Sequence, residues 1–318
     1  MSGATAPSAL AVVGATATGK TELALALALR LGGEIIGLDS RQAYRGLAVG
    51  TAAPESGQLQ SVPHHGIGFL DPRESYSAGH FARLARRWIR QIRDRDRVPI
   101  LAGGTGFFLR ALLEPVFAEP PLAAESRRRL REWLEDQPAE LVGRWARRLD
   151  PERVASLEVL DRQRAGRAIE LALLSGRGLS WWYRHGEPEA RPVPMLVYGL
   201  GLPPEVHRQR IRRRVERLVD GGWLEEVRGL REAGVSLDAP ALGAVGYREM
   251  AALLAGELER DAAVAEIVRL TWGYARRQRT WFRHQLPGLR WLDATVAIDE
   301  LAGRVAEEWA AADRDGGR

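Results

Sequence analysis

Eight consecutive residues, Gly14-Ala15-Thr16-Ala17-Thr18-Gly19-Lys20-Thr21, satisfy G-x-x-x-x-G-K-[ST] at every fixed position. Such a loop cradles phosphate: its glycines let the backbone wrap an anion, successive N–H groups point at it, and the following helix adds its positive N-terminal end. Lys20 brings a compact ammonium and Thr21 a hydroxyl that can hold Mg²⁺. Lys20 is also the only lysine among 46 basic residues, so a chain that otherwise uses arginine throughout keeps one lysine where a point charge is needed. Three further places carry chemistry. Asp39 is a carboxylate closing an apolar run and followed by Ser40-Arg41-Gln42. Gly103-Gly104-Thr105-Gly106 is a second glycine-rich turn with a hydroxyl at Thr105. Arg210, Arg214 and Arg217 recur at helical spacing. A phosphate loop with a carboxylate beside it fits an ATP- or GTP-using small-molecule or nucleotide kinase, although residues 34–39 match the expected Walker-B strand only loosely.

For these residues to meet, short buried strands must deliver them to one edge of a parallel sheet. Residues 10–13 read as the strand before the phosphate loop and 22–31 as the helix after it. Strands are predicted over 34–39, 66–70, 98–102, 193–200 and 289–292. Helices are predicted over 78–96, capped by Ser77, and over 207–218, 261–284 and 296–312. Between Pro115 and Ala190 the texture changes to arginine-rich helix with no convincing strand, and Trp133, Trp145, Trp181 and Trp182 are interleaved with the arginines. The expected architecture is α/β: a P-loop NTPase-like parallel sheet flanked by helices, with an inserted all-helical domain. Its segments are 1–114 for the first part of the core, 115–190 for the insertion and 191–318 for the rest of the core.

Composition narrows the partners. A chain of 318 residues that is 45% hydrophobic fills a sizeable core. A net charge of +5, carried almost wholly by arginine, points to an anionic partner larger than one phosphate, with nucleic acid foremost. The absence of cysteine excludes disulfides, thiolate zinc sites and thiol nucleophiles. His64 and His65 lack a third ligand at metal-binding spacing. No apolar run is long enough to span a bilayer and the N-terminus does not read as a signal peptide, so a cytoplasmic monomer with no membrane partner is expected.

Taken together, the ordered blocks resemble the tRNA dimethylallyltransferase, or isopentenyltransferase, family. They are Gly14 to Thr21, Asp39-Ser40-Arg41-Gln42, Gly50-Thr51-Ala52, Pro63-His64-His65, Asp71-Pro72, Tyr76-Ser77-Ala78, Gly103 to Gly106, Arg164 with Arg167-Ala168-Ile169-Glu170, Val245 to Glu249, and Ala275-Arg276-Arg277-Gln278 before Thr280-Trp281-Phe282-Arg283. The resemblance implies that Gly14, Ala15, Thr16, Ala17, Thr18, Gly19, Lys20 and Thr21 grip the diphosphate of dimethylallyl diphosphate with Mg²⁺ at Thr21, and that no phosphoryl group moves. It leaves open whether ATP also occupies the loop. Asp39 takes the position of the general base for N6 of the adenosine 3′-adjacent to the anticodon, and Thr105 and Arg214 are placed at the departing diphosphate. Contacts to tRNA, at the anticodon stem-loop, are implied for Asp39, Ser40, Arg41, Gln42, Thr105, Arg127, Gln163, Arg164, Arg167, Gly246, Tyr247, Arg248, Arg276, Arg277 and Gln278. Four positions depart from the family pattern: Ala53 for Lys, Phe108 for Tyr, Gly243 for Gln and Trp272 for Arg.

Overall fold

The computed structural model describes residues 6–114, 117–157, 159–286 and 288–316, with the side chains of 315 and 316 excluded. The chain divides into two compact units: Met1–Leu113 with Val193–Arg318, and Glu114–Pro192. In chain order the first unit contains β1 (Ala9–Gly14), α1 (Lys20–Leu31), β2 (Glu34–Gly37), α2 (Ser56–Ser61), β3 (His64–His65), α3 (Ala78–Arg93), β4 (Pro99–Gly103) and α4 (Gly106–Leu113). The second unit holds α5 (Ala124–Glu135), α6 (Ala139–Leu149), α7 (Pro151–Ala155), α8 (Arg162–Ser175) and α9 (Leu179–His185). The chain then returns with β5 (Met195–Gly201), α10 (Pro204–Leu218), α11 (Leu224–Glu232), α12 (Tyr247–Leu254), α13 (Arg260–Gln285), β6 (Arg290–Asp293) and α14 (Ile298–Gly316).

All six strands are parallel, in the order β3-β2-β4-β1-β5-β6. β1 is buried along its whole length because both its faces are covered, as a parallel sheet requires. Leu10 and Val12 pack with Leu23 and Leu27 of α1 and with Leu301, Val305 and Trp309 of α14. Ala9, Ala11 and Val13 face Phe81, Ala85, Ile89 and Ile92 of α3 and Leu109 and Leu112 of α4. The period-2 alternation of the strand and the 3.6-residue stripe of α3 are thus two sides of one core. β1 sits between β4 and β5, and its own connection runs to β2 on one side while that of its neighbour β4 runs to β5 on the other. Its C-terminal edge is therefore the switch point where open α/β sheets bind ligands.

Two expectations are corrected. The strand predicted over 66–70 is instead His64–His65, because Gly66 and Gly68 turn the chain with φ of 78° and 58°. Leu70 retains only an isolated bridge to Tyr44. Ser77 does cap α3, accepting the His80 N–H at 3.1 Å, but the helix ends at Arg93 and not at residue 96. Among the described residues no helix is long and apolar enough to cross a membrane.

Candidate active site

The phosphate loop leaves β1 at Gly14, φ 145°, and enters α1 from Gly19, φ 95°. Ala17 lies between them in a left-handed conformation at φ 61°, which a residue with a Cβ adopts only when its surroundings impose it. The imposing contacts are specific. The Ala15 carbonyl accepts the Thr18 hydroxyl at 2.9 Å and the Lys20 ammonium at 2.6 Å. The Thr16 N–H donates to Gln278 Oε1 at 2.9 Å, and the Thr16 carbonyl accepts from His207 Nε2 at 2.7 Å. Burial holds the His207 imidazole below its ordinary pKa, and the cations Lys20, Arg279 and Arg210 oppose its protonation further. The hydrogen bond to Thr16 pulls the other way, and because a carbonyl only accepts, the ring carries a proton on Nε2.

Lys20 is pushed down to about 8, first by burial and then by the Arg214 guanidinium that faces it, while Asp39 and Glu22 pull the other way. Burial likewise lowers Arg214, again opposed by Asp39 and Glu22. Two half-buried cations brought together, with nearby carboxylates only partly compensating, make a site whose electrostatic demand is for an anion. Arg214 comes from α10 and donates to the Thr51 carbonyl at 3.3 Å. That carbonyl also accepts Gln42 Nε2 at 3.2 Å. The Thr51 loop is itself pinned by Glu226 of α11, which accepts the Val49 and Gly50 N–H groups at 2.6 and 3.0 Å and the Tyr247 hydroxyl at 2.7 Å.

Asp39, just beyond β2, folds back over its own backbone: Oδ1 accepts the N–H of Arg41 at 2.8 Å and of Gln42 at 3.4 Å. Oδ2 has no hydrogen-bond partner among the described residues. Thr105, just beyond β4, joins the two strand ends, because its N–H donates to the Leu38 carbonyl at 3.1 Å and its oxygen accepts the Ser40 N–H at 3.0 Å. The Thr105 hydroxyl proton stays available to a ligand. Asp39, Thr105, Lys20 and Arg214 thus come from four elements to one edge of the sheet. Tyr274 of α13 joins them: burial and then the Asp39 charge push its phenol above the ordinary value.

Comparison with known proteins places this arrangement. The family model described as IPP transferase matches residues 42–285. A tRNA dimethylallyltransferase of Thermomicrobium roseum is 40% identical over 294 residues, covering 90% of this chain and 86% of the relative. One from Halorhodospira halophila is 41% identical over 306 residues, covering 95% and 96%. The crystal structure of the full-length tRNA isopentenylpyrophosphate transferase of Bacillus halodurans superposes with a TM-score of 0.70 at 31% identity, covering 97% of each chain. The chain belongs to the IPP transferase family.

Three of the four positions expected to depart from the family pattern are placed as follows. Phe108 is buried and stacked on Phe81 at 4.4 Å, so its missing hydroxyl is a difference of the core. Gly243 lies against the Arg41 guanidinium, which donates to the Pro240 carbonyl. Trp272 packs edge-on against His207 at 5.6 Å, with the Arg208 guanidinium 4.7 Å from its ring centre.

Several residues expected to touch RNA are placed otherwise. Gln278 is buried and uses both ends of its amide inside the protein, Nε2 donating to the Gly104 carbonyl at 2.9 Å. Tyr247 is wholly buried on Glu226, and Gly246, at φ 99°, is the turn that admits it beside Trp223. By contrast Arg248, Arg276 and Arg277 are exposed. In the helical unit Gln163 and Arg164 are exposed, and Arg164 donates to the Val159 carbonyl at 2.9 Å. Arg127 and Arg167 are half-buried and bridge Glu119 and Glu170. Burial opposes the Glu170 charge, yet Arg131, Arg127 and Arg167 outweigh it and hold the carboxyl below its usual range. His207, Tyr274 and Glu226 were missed from sequence, because none sits in a motif and each gains its role only through a partner far along the chain.

Proposed function

We propose that this chain transfers a dimethylallyl group from dimethylallyl diphosphate to N6 of the adenosine 3′-adjacent to the anticodon of tRNA. The observation that carries the reading is the pair Lys20 and Arg214, two half-buried cations at a phosphate loop that interact with each other and with the Asp39 carboxylate. In the step, the N6 nitrogen forms a bond to the allylic carbon, the carbon–oxygen bond breaks, and the electron pair leaves with the diphosphate. The N6 amine is a poor nucleophile because its lone pair is delocalised into the ring. Asp39 takes its proton as the bond forms, a contribution of about 10²–10⁴-fold for a positioned base. Lys20, Arg214, the Thr105 hydroxyl and the loop amides meet the charge that grows on the leaving group.

Thr21 is the residue that would hold Mg²⁺. No group of three His, Asp or Glu side chains capable of caging a metal occurs among the described residues. From the first turn of α1, Thr21 would give Mg²⁺ one protein oxygen, the substrate phosphates and waters would supply the rest, and the ion would neutralise charge there. The target base must leave its stack to reach Asp39, at a cost of a few kcal/mol. The arginine-rich helical unit would offset that cost by binding the anticodon stem backbone.

The test is incubation with labelled dimethylallyl diphosphate and unmodified tRNA, followed by digestion to nucleosides. Prenylated adenosine should appear one-for-one with inorganic diphosphate and without ATP. A strict ATP requirement with ADP as product would instead establish a kinase.

A further inference from the structure

We infer that Gln278 and His207 are positioning residues for the phosphate loop, and that they take the backbone of Thr16 out of the set of groups that touch the diphosphate. The inference rests on the prenyl-transfer reading only in naming the anion. The hydrogen bonds leave little choice. The peptide between Ala15 and Thr16 has its N–H on Gln278 Oε1 and its carbonyl under both Thr18 and Lys20. The next peptide has its carbonyl on His207 Nε2. Its N–H, that of Ala17, begins the run of amides left to read the anion, which continues to Thr21. The Thr16 backbone, which the motif alone assigns to the cradle, is instead the loop's anchor.

Gln278 does a second thing with the same amide. Its Nε2 donates to the Gly104 carbonyl, so one buried side chain spaces the phosphate loop from the glycine turn that carries Thr105. A Cβ at Gly104 would overlap that amide, which is why the turn has no side chain there. Helix α13 therefore sets the separation between the donors Lys20 and Thr105 that meet the leaving group. His207, buried against Trp272, holds the loop from α10, the helix that also delivers Arg214. Two helices thus fix both the cradle and its flanking cations, so that the donors are in place before the anion arrives.

The test uses the full chain and two readouts: calorimetric titration with inorganic diphosphate and Mg²⁺, and steady-state prenyl transfer. Gln278→Met and His207→Leu keep bulk and remove the hydrogen bonds. Each should weaken diphosphate, and raise KM for the prenyl donor, by about 10- to 100-fold, since a buried peptide group loses its partner. RNA affinity should stay within about threefold. His207→Gln keeps a donor at nearly the same reach and should restore diphosphate binding to near wild type. Unchanged diphosphate affinity with weakened RNA binding would make Gln278 an RNA contact and overturn the inference. So would parallel losses of kcat, diphosphate affinity, RNA affinity and thermal midpoint, the mark of a merely structural role. Should Gln278→Met not fold, the His207 pair decides alone. A wild-type protein that binds no diphosphate at all would sink the prenyl-transfer reading and this inference together. A wild type that binds it while the variants bind equally well would sink only the inference.

Discussion

Asp39→Asn is a clean substitution because asparagine keeps the oxygen that accepts the Arg41 and Gln42 N–H groups while losing the ability to take a proton. Turnover should fall by about two to four decades with RNA affinity retained, as measured in single-turnover and filter-binding assays. A turnover within about threefold of wild type would reduce Asp39 to a turn residue. Lys20 offers a test in pH. Its folded-state value is lowered to about 8 from an ordinary value of 10.5, so between those values the folded chain has released a proton that the unfolded chain retains. The stability of the free protein therefore rises with pH across that window. Diphosphate reverses the shift by favouring the charged ammonium, so binding near pH 8.5 should draw in about half a proton or more. Calorimetry in buffers of different ionisation enthalpy reads this directly. In Lys20→Arg, whose guanidinium stays charged throughout, the uptake should vanish.

At the scale of elements, the Thr51 loop depends on α11. Glu226→Ala removes a carboxylate that two backbone N–H groups and the Tyr247 hydroxyl share, which should cost about 1.5–3 kcal/mol in urea unfolding. It should also slow turnover, because the carbonyl of Thr51 anchors Arg214. In the helical unit, replacing Arg164 and Arg167 together leaves Glu170 still paired with Arg127 and Arg131, so the unit should fold. RNA binding should weaken and its logarithmic salt slope flatten by about one unit for the exposed Arg164, and by about a second where Arg167 exchanges its carboxylates for a phosphate. A changed KM for the prenyl donor with an unchanged salt slope would argue for a lid over the phosphate loop instead. These elements differ in how legible they were. The helix α3 was readable from its Ser77 cap, and α13 to within a residue at each end. β3 was not, because a two-residue strand has no period, and the following glycines look from sequence as if they could continue an extended run.

At the scale of the molecule, the insertion leaves and re-enters the first unit at adjacent points, since the Val193 N–H donates to the Leu112 carbonyl at 2.9 Å. Joining Leu113 to Val193 through a few Gly and Ser residues should therefore leave a folded first unit. It should bind diphosphate as the full chain does and lose most of its affinity for RNA, as read by calorimetry and filter binding. A first unit that melts without the insertion would show that the two depend on each other for stability.

The sequence by itself determined what is local. A phosphate loop, its preceding strand and following helix, the caps and the arginine-rich helical texture all lie within spans of a few to a few tens of residues, where propensity and spacing act directly. Family blocks such as Asp39 to Gln42 and Gly103 to Gly106 could also be recognised there, together with the chemistry they imply. Only the tertiary structure decided which polar groups are already spent. Gln278 reaches back across 262 residues to Thr16, and His207 across 191, so no window of sequence contains both partners. The same holds for the lowered Lys20 ammonium. Its charge state follows from burial beside Arg214, and burial is a property of how the chain packs on itself rather than of any residue in the motif.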